Sequence, residues 1–187
     1  MVIKVKVKIG VSNRHVHLKK EDFEKLFGDI ELVKDKALVQ PNEFSSIHRL
    51  TIKTEKNEIK NVRVLGPFRP YTQIEVSRTD AYTLGINPPV RESGDLENSE
   101  VVTLIGPNGE IKTNGCIIAN RHIHISKEDK EKYKLKDVVN VELQTEKGGI
   151  LYNVFLKEKE GAVLEMHIDT DDANANLIKS GDLGEIK

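Results

Sequence analysis

A chain of 187 residues, 37% hydrophobic and 32% charged, is long enough to bury a core in one domain or in two small ones. Its formal charge of -1 argues against a sequence-independent nucleic-acid binder. Its single cysteine, Cys116, excludes an internal disulfide and fits a reducing compartment, and no apolar run approaches the roughly 18–20 residues of a membrane span. The expectation is a cytoplasmic protein with neither nucleic acid nor membrane as a partner.

Residues 2–11, VIKVKVKIGV, set Val5, Val7, Ile9 and Val11 on one parity and Lys4, Lys6 and Lys8 on the other, the pattern of a half-buried strand that begins at Val2. The strand runs into SNRHVHLKKED, residues 12–22. Side chains two residues apart in extended chain leave the same face, so His15 and His17 form a chelating pair. Continued without a bulge, the strand would turn both histidines inward on its apolar face. Residues 19–28 place Phe23, Leu26 and Phe27 at helical spacing with acids early and Gly28 at the end, which predicts a short helix.

Residues 30–65 read as several short strands, with turns at Pro41-Asn42 and Lys56-Asn57. Residues 66–95 are rich in Gly, Pro, Arg and Thr and poor in continuous hydrophobic pattern, as expected of a segment ordered around something specific. Residues 101–107 and 114–120 are strands again. The latter delivers ANRHIHISKED, residues 119–129, a second copy of the first motif with the pair His122 and His124 and a repeat of the helix. Residues 138–158 form a hairpin through Lys147-Gly148-Gly149, and AVLEMHIDTDDANANLIKSGDLGEI closes the chain.

The copies define an internal duplication with halves 1–96 and 97–187 and with exchange of strands between the halves allowed for. Laying IEVSRTDAY (74–82) over MHIDTDDAN (166–174) sets Glu75 opposite His167. Each half then offers a His-x-His pair and one more metal-competent side chain: His15, His17 and Glu75, and His122, His124 and His167. Three protein ligands with an open position describe a catalytic rather than a structural zinc site, although imidazole and carboxylate equally suit cobalt, nickel, copper or iron.

Other residues carry two readings each. Arg14 and Arg121 precede the pairs at opposite parity, as salt-bridge partners behind a metal or as substrate contacts. Among Arg69, Arg78 and Arg91, the planar fork of Arg69 between the prolines of GPFRP is the favoured anion ligand, against a solvated surface arginine. Cys116 could reach a metal, but a small buried hydrophobe is the favoured identity. Asp169, Asp171 and Asp172 serve either as acceptors behind the imidazoles or as caps of a helix through ANANLIK. His48 lies outside the repeat and is assigned a structural role.

Taken together, SNRHVHL, GPFRPYTQIEVSRTDAYTLGI, PVRESGD, IIANRHIHI and LEMHIDTDDANA resemble the PduL-type phosphotransacylases, or phosphate propanoyltransferases, over about residues 10–178. The resemblance implies a mainly β fold with short α-helices, built as two related β-barrel domains, and a homo-oligomer, a dimer first of all. It implies reversible transfer of a propanoyl or acetyl group between coenzyme A and inorganic phosphate at two zinc ions per chain lying between the domains. By the same resemblance His15, His17 and Glu75 hold the first zinc, with the coenzyme A sulfur as remaining ligand. His122, His124 and His167 hold the second with waters, and Arg69 is the catalytic, phosphate-binding arginine. Relatives packaged in microcompartments carry an amphipathic N-terminal extension; none is seen here, which gives the expectation of a free cytosolic form. The rival readings are a metal-dependent thioesterase or other hydrolase, and a non-catalytic metal-dependent sensor of a small molecule.

Overall fold

The computed structural model describes residues 5–187. In chain order its elements are β1 (Val5–Ser12), β2 (His15–His17), α1 (Lys20–Phe27), β3 (Lys34–Ala37), β4 (Phe44–Lys53), β5 (Glu58–Gly66), β6 (Gln73–Glu75), α2 (Arg78–Leu84), β7 (Val90–Arg91), β8 (Glu100–Ile105) and β9 (Glu110–Ala119), followed by β10 (His122–Ile125), α3 (Lys127–Tyr133), β11 (Val138–Leu143), β12 (Gly149–Glu158), β13 (Glu165–Asp169), α4 (Thr170–Asn176) and β14 (Leu183–Ile186). The fold is mainly β with four short helices, and its strands close into two six-stranded barrels. No helix among the described residues is long and apolar enough to cross a membrane.

The chain divides into two compact units: the described part of Met1–Ser12 together with Asn120–Lys187, and Asn13–Ala119. The first unit is the barrel β1-β13-β10-β12-β11-β14. The second closes through the pairings β4-β5-β2-β6-β9-β8, with β8 returning to β4 and with β3 and β7 added outside the ring. The units therefore do not follow the linear halves 1–96 and 97–187. Each His-x-His strand follows directly on a strand of the other unit: β1, which precedes β2, completes the barrel of β10, and β9, which precedes β10, completes the barrel of β2. A cut at 96/97 separates β9 and β8 from the ring they close.

The two rings repeat one pairing scheme. The His-x-His strand is parallel to one neighbour (β5 or β12) and antiparallel to the other (β6 or β13), which is in turn parallel to the exchanged strand (β9 or β1). Each ring encloses its own core, one around Val16, Ile74, Leu104 and Cys116, the other around Ile9, Ile123, Met166 and Val154. In β1 the expected alternation holds from Val5, with Val5, Val7 and Ile9 buried and Lys6 and Lys8 exposed; Val2 and Lys4 lie outside the described residues.

His15 and His17 are buried, 9% and 4% exposed, but they do not share the face of the apolar side chains of β1. The strand breaks at Asn13-Arg14, so its parity restarts in β2: Val16 enters the core and the histidines leave on the opposite face. Ile123 does the same between His122 and His124. Residues 66–95, which carry little continuous pattern, hold β6, α2 and β7. Helix α2 is specified locally, by a reciprocal capping box between Ser77 and Asp80 and by Gly85 in the left-handed region (φ 66°) at its C-cap. The two helices after the histidine pairs differ. Phe23, Leu26 and Phe27 anchor α1 in the core, whereas α3 buries none of its residues.

Candidate metal centres

Strand register sets each group of three. In the second unit His15 lies opposite Glu75 and His17 opposite Gln73. In the first unit His122 lies opposite His167 and His124 opposite Glu165. Directly opposed residues on paired strands share a face at Cβ separations of roughly 4.5–5.5 Å, so the third ligand is delivered by register alone. In each group the candidate ligand atoms all lie within 4.8 Å of one another.

In the first group the Nδ1–H of His15 donates to the Asn13 carbonyl at 2.8 Å, leaving the Nε2 lone pair 3.4 Å from Glu75 Oε2. Burial opposes charge on His15, but the Glu75 carboxylate, by its field and its hydrogen bond, and then the Asn13 carbonyl outweigh burial and the opposing field of Arg69, so the His15 pKa is raised. A proton is thus favoured between His15 and Glu75, where a cation would also be favoured.

A hydrogen-bonded chain runs outward from Glu75. The Gln73 amide donates to Glu75 Oε1 at 2.6 Å and to Ser93 Oγ at 2.9 Å, and Arg69 Nη1 donates to the same Ser93 Oγ at 2.9 Å. The backbone N–H of Gly94 closes on Gln73 Oε1 at 2.8 Å, and that of Arg69 donates to the Leu18 carbonyl just beyond His17 at 3.0 Å. Gln73 is fully buried. Arg69 keeps part of its fork accessible, with Glu43 at 3.9 Å.

In the second group His122 repeats His15: its Nδ1–H donates to the Asn120 carbonyl at 2.9 Å, and its Nε2 stands 3.2 Å from His124 Nε2. The three rings of His122, His124 and His167 meet edge to face with centroids 4.7–5.2 Å apart. Burial first, then the neighbouring His122 and His167 and the cations Lys157 and Lys159, push the His124 pKa down to about 2, so this imidazole stays neutral, as a ligand must. His124 Nδ1 is buried with no hydrogen-bond partner among the described residues.

Both groups fit a metal ion. A tetrahedral ion with bonds of about 2.0–2.1 Å has ligand-to-ligand edges of roughly 3.3–3.4 Å, close to the 3.2 Å of His122–His124 and the 3.4 Å of His15–Glu75. His122 Nε2 and His124 Nε2 face each other, and two ring nitrogens at that separation need a proton or a cation between them. Two neutral imidazoles with a carboxylate, and three imidazoles, are both donor sets for zinc-like divalent ions.

Of the arginines, Arg14 and Arg121 hold the histidine loops from behind. Arg14 pairs with Asp80, and Arg121 grips Asp172 with Nε and Nη2 at 2.6 and 2.7 Å. Arg78 is taken up by Asn87, and Arg91 by the Glu97 carbonyl and Asp95. Asp169 caps α4 by accepting from the Asp172 N–H at 2.9 Å, so the acceptors behind His15 and His122 are asparagine carbonyls rather than these acids. Cys116 is buried in the second unit's core, and burial, then Glu100 and Asp80, raise its thiol pKa to about 12. His48 accepts from the Val33 N–H and packs on Phe23 and Phe27, a structural role. Sequence reading passed over Gln73, Ser93 and Glu165. The Gln73-x-Glu75 and Glu165-x-His167 spacings were the available signal, since a residue two before a ligand on a strand shares its face.

A duplicated barrel carrying twin metal-competent groups narrows the class, and the comparisons with known proteins place it among acyltransferases. The family model for phosphate propanoyltransferase matches residues 8–179. Similar proteins include the phosphate propanoyltransferases of Thermotoga maritima, 49% identical over 94% of this chain and 86% of the relative, and of Levilactobacillus brevis, 44% identical over 97% and 88%. That of Priestia megaterium is 49% identical over 95% of this chain and 84% of the relative. The chain belongs to the phosphate propanoyltransferase family.

Proposed function

We propose that the chain transfers a short acyl group, propanoyl or acetyl, reversibly between coenzyme A and inorganic phosphate at two zinc-loaded centres: acyl-coenzyme A plus phosphate gives acyl phosphate plus coenzyme A. The observation that carries the reading is the repetition of one three-ligand register in two barrels of one chain. Transfer brings together phosphate and a leaving thiolate, and two cationic centres would serve both. His15, His17 and Glu75 would hold one ion, and His122, His124 and His167 the other.

When bound, the ions supply positive charge for a leaving thiolate and for the phosphate oxygens. The chain's own residues do the rest. Arg69, beside the first group and held by Ser93, presents its fork to phosphate and orients an oxygen toward the thioester carbon. That oxygen forms the new C–O bond as the C–S bond breaks, and the electron pair leaves on sulfur, whose conjugate acid has a pKa of about 8.5 when free. Neutral His124 keeps its lone pair ready, and the asparagine carbonyls fix the tautomers of His15 and His122 with Nε2 turned toward their groups. Transfer is direct. Cys116, buried and with its pKa raised to about 12, is not poised to form an acyl-enzyme. The resemblance carries the further reading of a cytosolic homodimer.

The test is release of free thiol from propanoyl- and acetyl-coenzyme A by protein of counted metal content. Release that requires phosphate, with two zinc ions per chain, is the expected outcome. Release without phosphate would make the protein a thioesterase, and no release from fully loaded protein would make it a sensor.

A further inference from the structure

Glu165 stands one strand period before His167, so both side chains leave the same face of β13. It is 8% exposed, and its Oε2 lies 2.8 Å from His167 Nε2. A contact of that length needs one proton, and an ionised carboxylate only accepts, so the imidazole supplies it. On β1, Gly10 lies opposite His167, and a Cβ there would stand 3.1 Å from His167 Cδ2 and 3.3 Å from Glu165 Oε1. In the other barrel the place of Gly10 is taken by Ile117, opposite Glu75. The bare backbone leaves room for a bulkier ring-and-carboxylate pair.

The other barrel carries the same device with its polarity reversed. Gln73 stands two residues before Glu75 and donates to its Oε1 at 2.6 Å. There the third candidate ligand is a carboxylate, an acceptor, and the residue before it offers an amide donor. Here the third candidate ligand is an imidazole that has a donor to place, and the residue before it offers an acceptor.

We propose that Glu165 is the positioning residue of the second centre: by accepting the Nε2–H of His167 it fixes the ring's orientation and its tautomer, with the lone pair on Nδ1 presented to the metal. Partners of this kind raise the basicity of a ligating imidazole. The inference rests on the reading of His122, His124 and His167 as a metal centre, and it adds a residue outside that group of three.

The experiment titrates wild type, Glu165→Gln and Glu165→Ala with zinc against a competing chelator, resolving the two sites. The expected result is a loss of affinity of about 10- to 100-fold at the second centre for Glu165→Ala. Glu165→Gln, whose amide oxygen still accepts the N–H, recovers most of it, and the first centre is unchanged in both. Nitrogen NMR of labelled histidines should show His167 protonated at Nε2 in the wild type and metallated at Nδ1. Equal losses in the two variants, or metal on Nε2, would make Glu165 a ligand and overturn the positioning role, as would an unaltered Glu165→Ala. Wild-type protein that takes up only one ion removes the second centre itself. Two ions in the wild type with an indifferent Glu165 remove the inference alone.

Discussion

The two barrels hold the same backbone and different chemistry. In the first group a carboxylate is itself among the candidate ligands and a neutral amide stands behind it; in the second, three imidazoles meet and the carboxylate stands one hydrogen bond back. Each centre has one nearby acid, but at a different distance from where an ion would sit. A divalent ion held by the first group would keep about one net positive charge, and one held by the second nearly its full charge. Duplication preserved strand register, and substitution at two positions per barrel made the halves unequal.

The most severe way to test that division is to remove one ligand from each side. His17→Ala and His124→Ala should each lower kcat/KM for transfer by roughly 10³-fold, the scale on which deletion of a key charge-stabilising group acts. Each variant should lose one of two ions and keep the other, because each group is assembled within its own barrel. Metal analysis beside phosphate-dependent thiol release checks both statements. Loss of both ions from either single variant would show the centres to be one cooperative unit and would undo the comparison.

A smaller effect separates the centres by their outer contacts. Ser93 Oγ receives both the Arg69 guanidinium and the Gln73 amide, so it links the proposed phosphate arm to the support of Glu75. Ser93→Ala removes that link at a cost of about 1 kcal/mol, roughly fivefold. The expected outcome is a KM for phosphate raised by about that factor and a slightly weaker first centre, with the second centre's metal affinity unmoved. A change in kcat alone would place Ser93 outside the phosphate arm.

How much of this was readable from residues alone follows from where the information lies. The His-x-His pairs are short-range, and duplication advertises them. Glu75 and His167 became legible because the halves could be aligned, and the register found here sets them opposite His15 and His122. The face on which the histidines stand was not legible, since it turns on a break at Asn13-Arg14 that resets parity without any glycine or proline to mark it. Nor was the barrel membership of β1 and β9 legible, because long-range strand pairing leaves no trace in local pattern. Helix α2 was missed although Ser77 and Asp80 spell a capping signal, its apolar face being only Ala81 and Leu84. Glu165 hid as an ordinary strand acid until its partner could be seen.

The smallest expected effect falls where the barrels are most alike. Cys116 pairs across β6 with Ile74 as Ile9 pairs across β13 with Met166, so the thiol occupies a core position that the other barrel fills with isoleucine. Cys116→Ala should leave kcat and both ions unchanged and cost about 1 kcal/mol of stability, seen as a modest fall in the unfolding midpoint. Because burial raises the thiol's pKa to about 12, the neutral form is the one the fold favours. That preference is intact below the unfolded thiol's value of about 8.5, and its contribution is lost only as pH rises above it. Native protein at pH 8 should therefore resist alkylation at Cys116, while urea-unfolded protein reacts. An alanine variant that keeps both ions yet loses transfer would make the sulfur a covalent participant, and direct attack by phosphate would have to be given up.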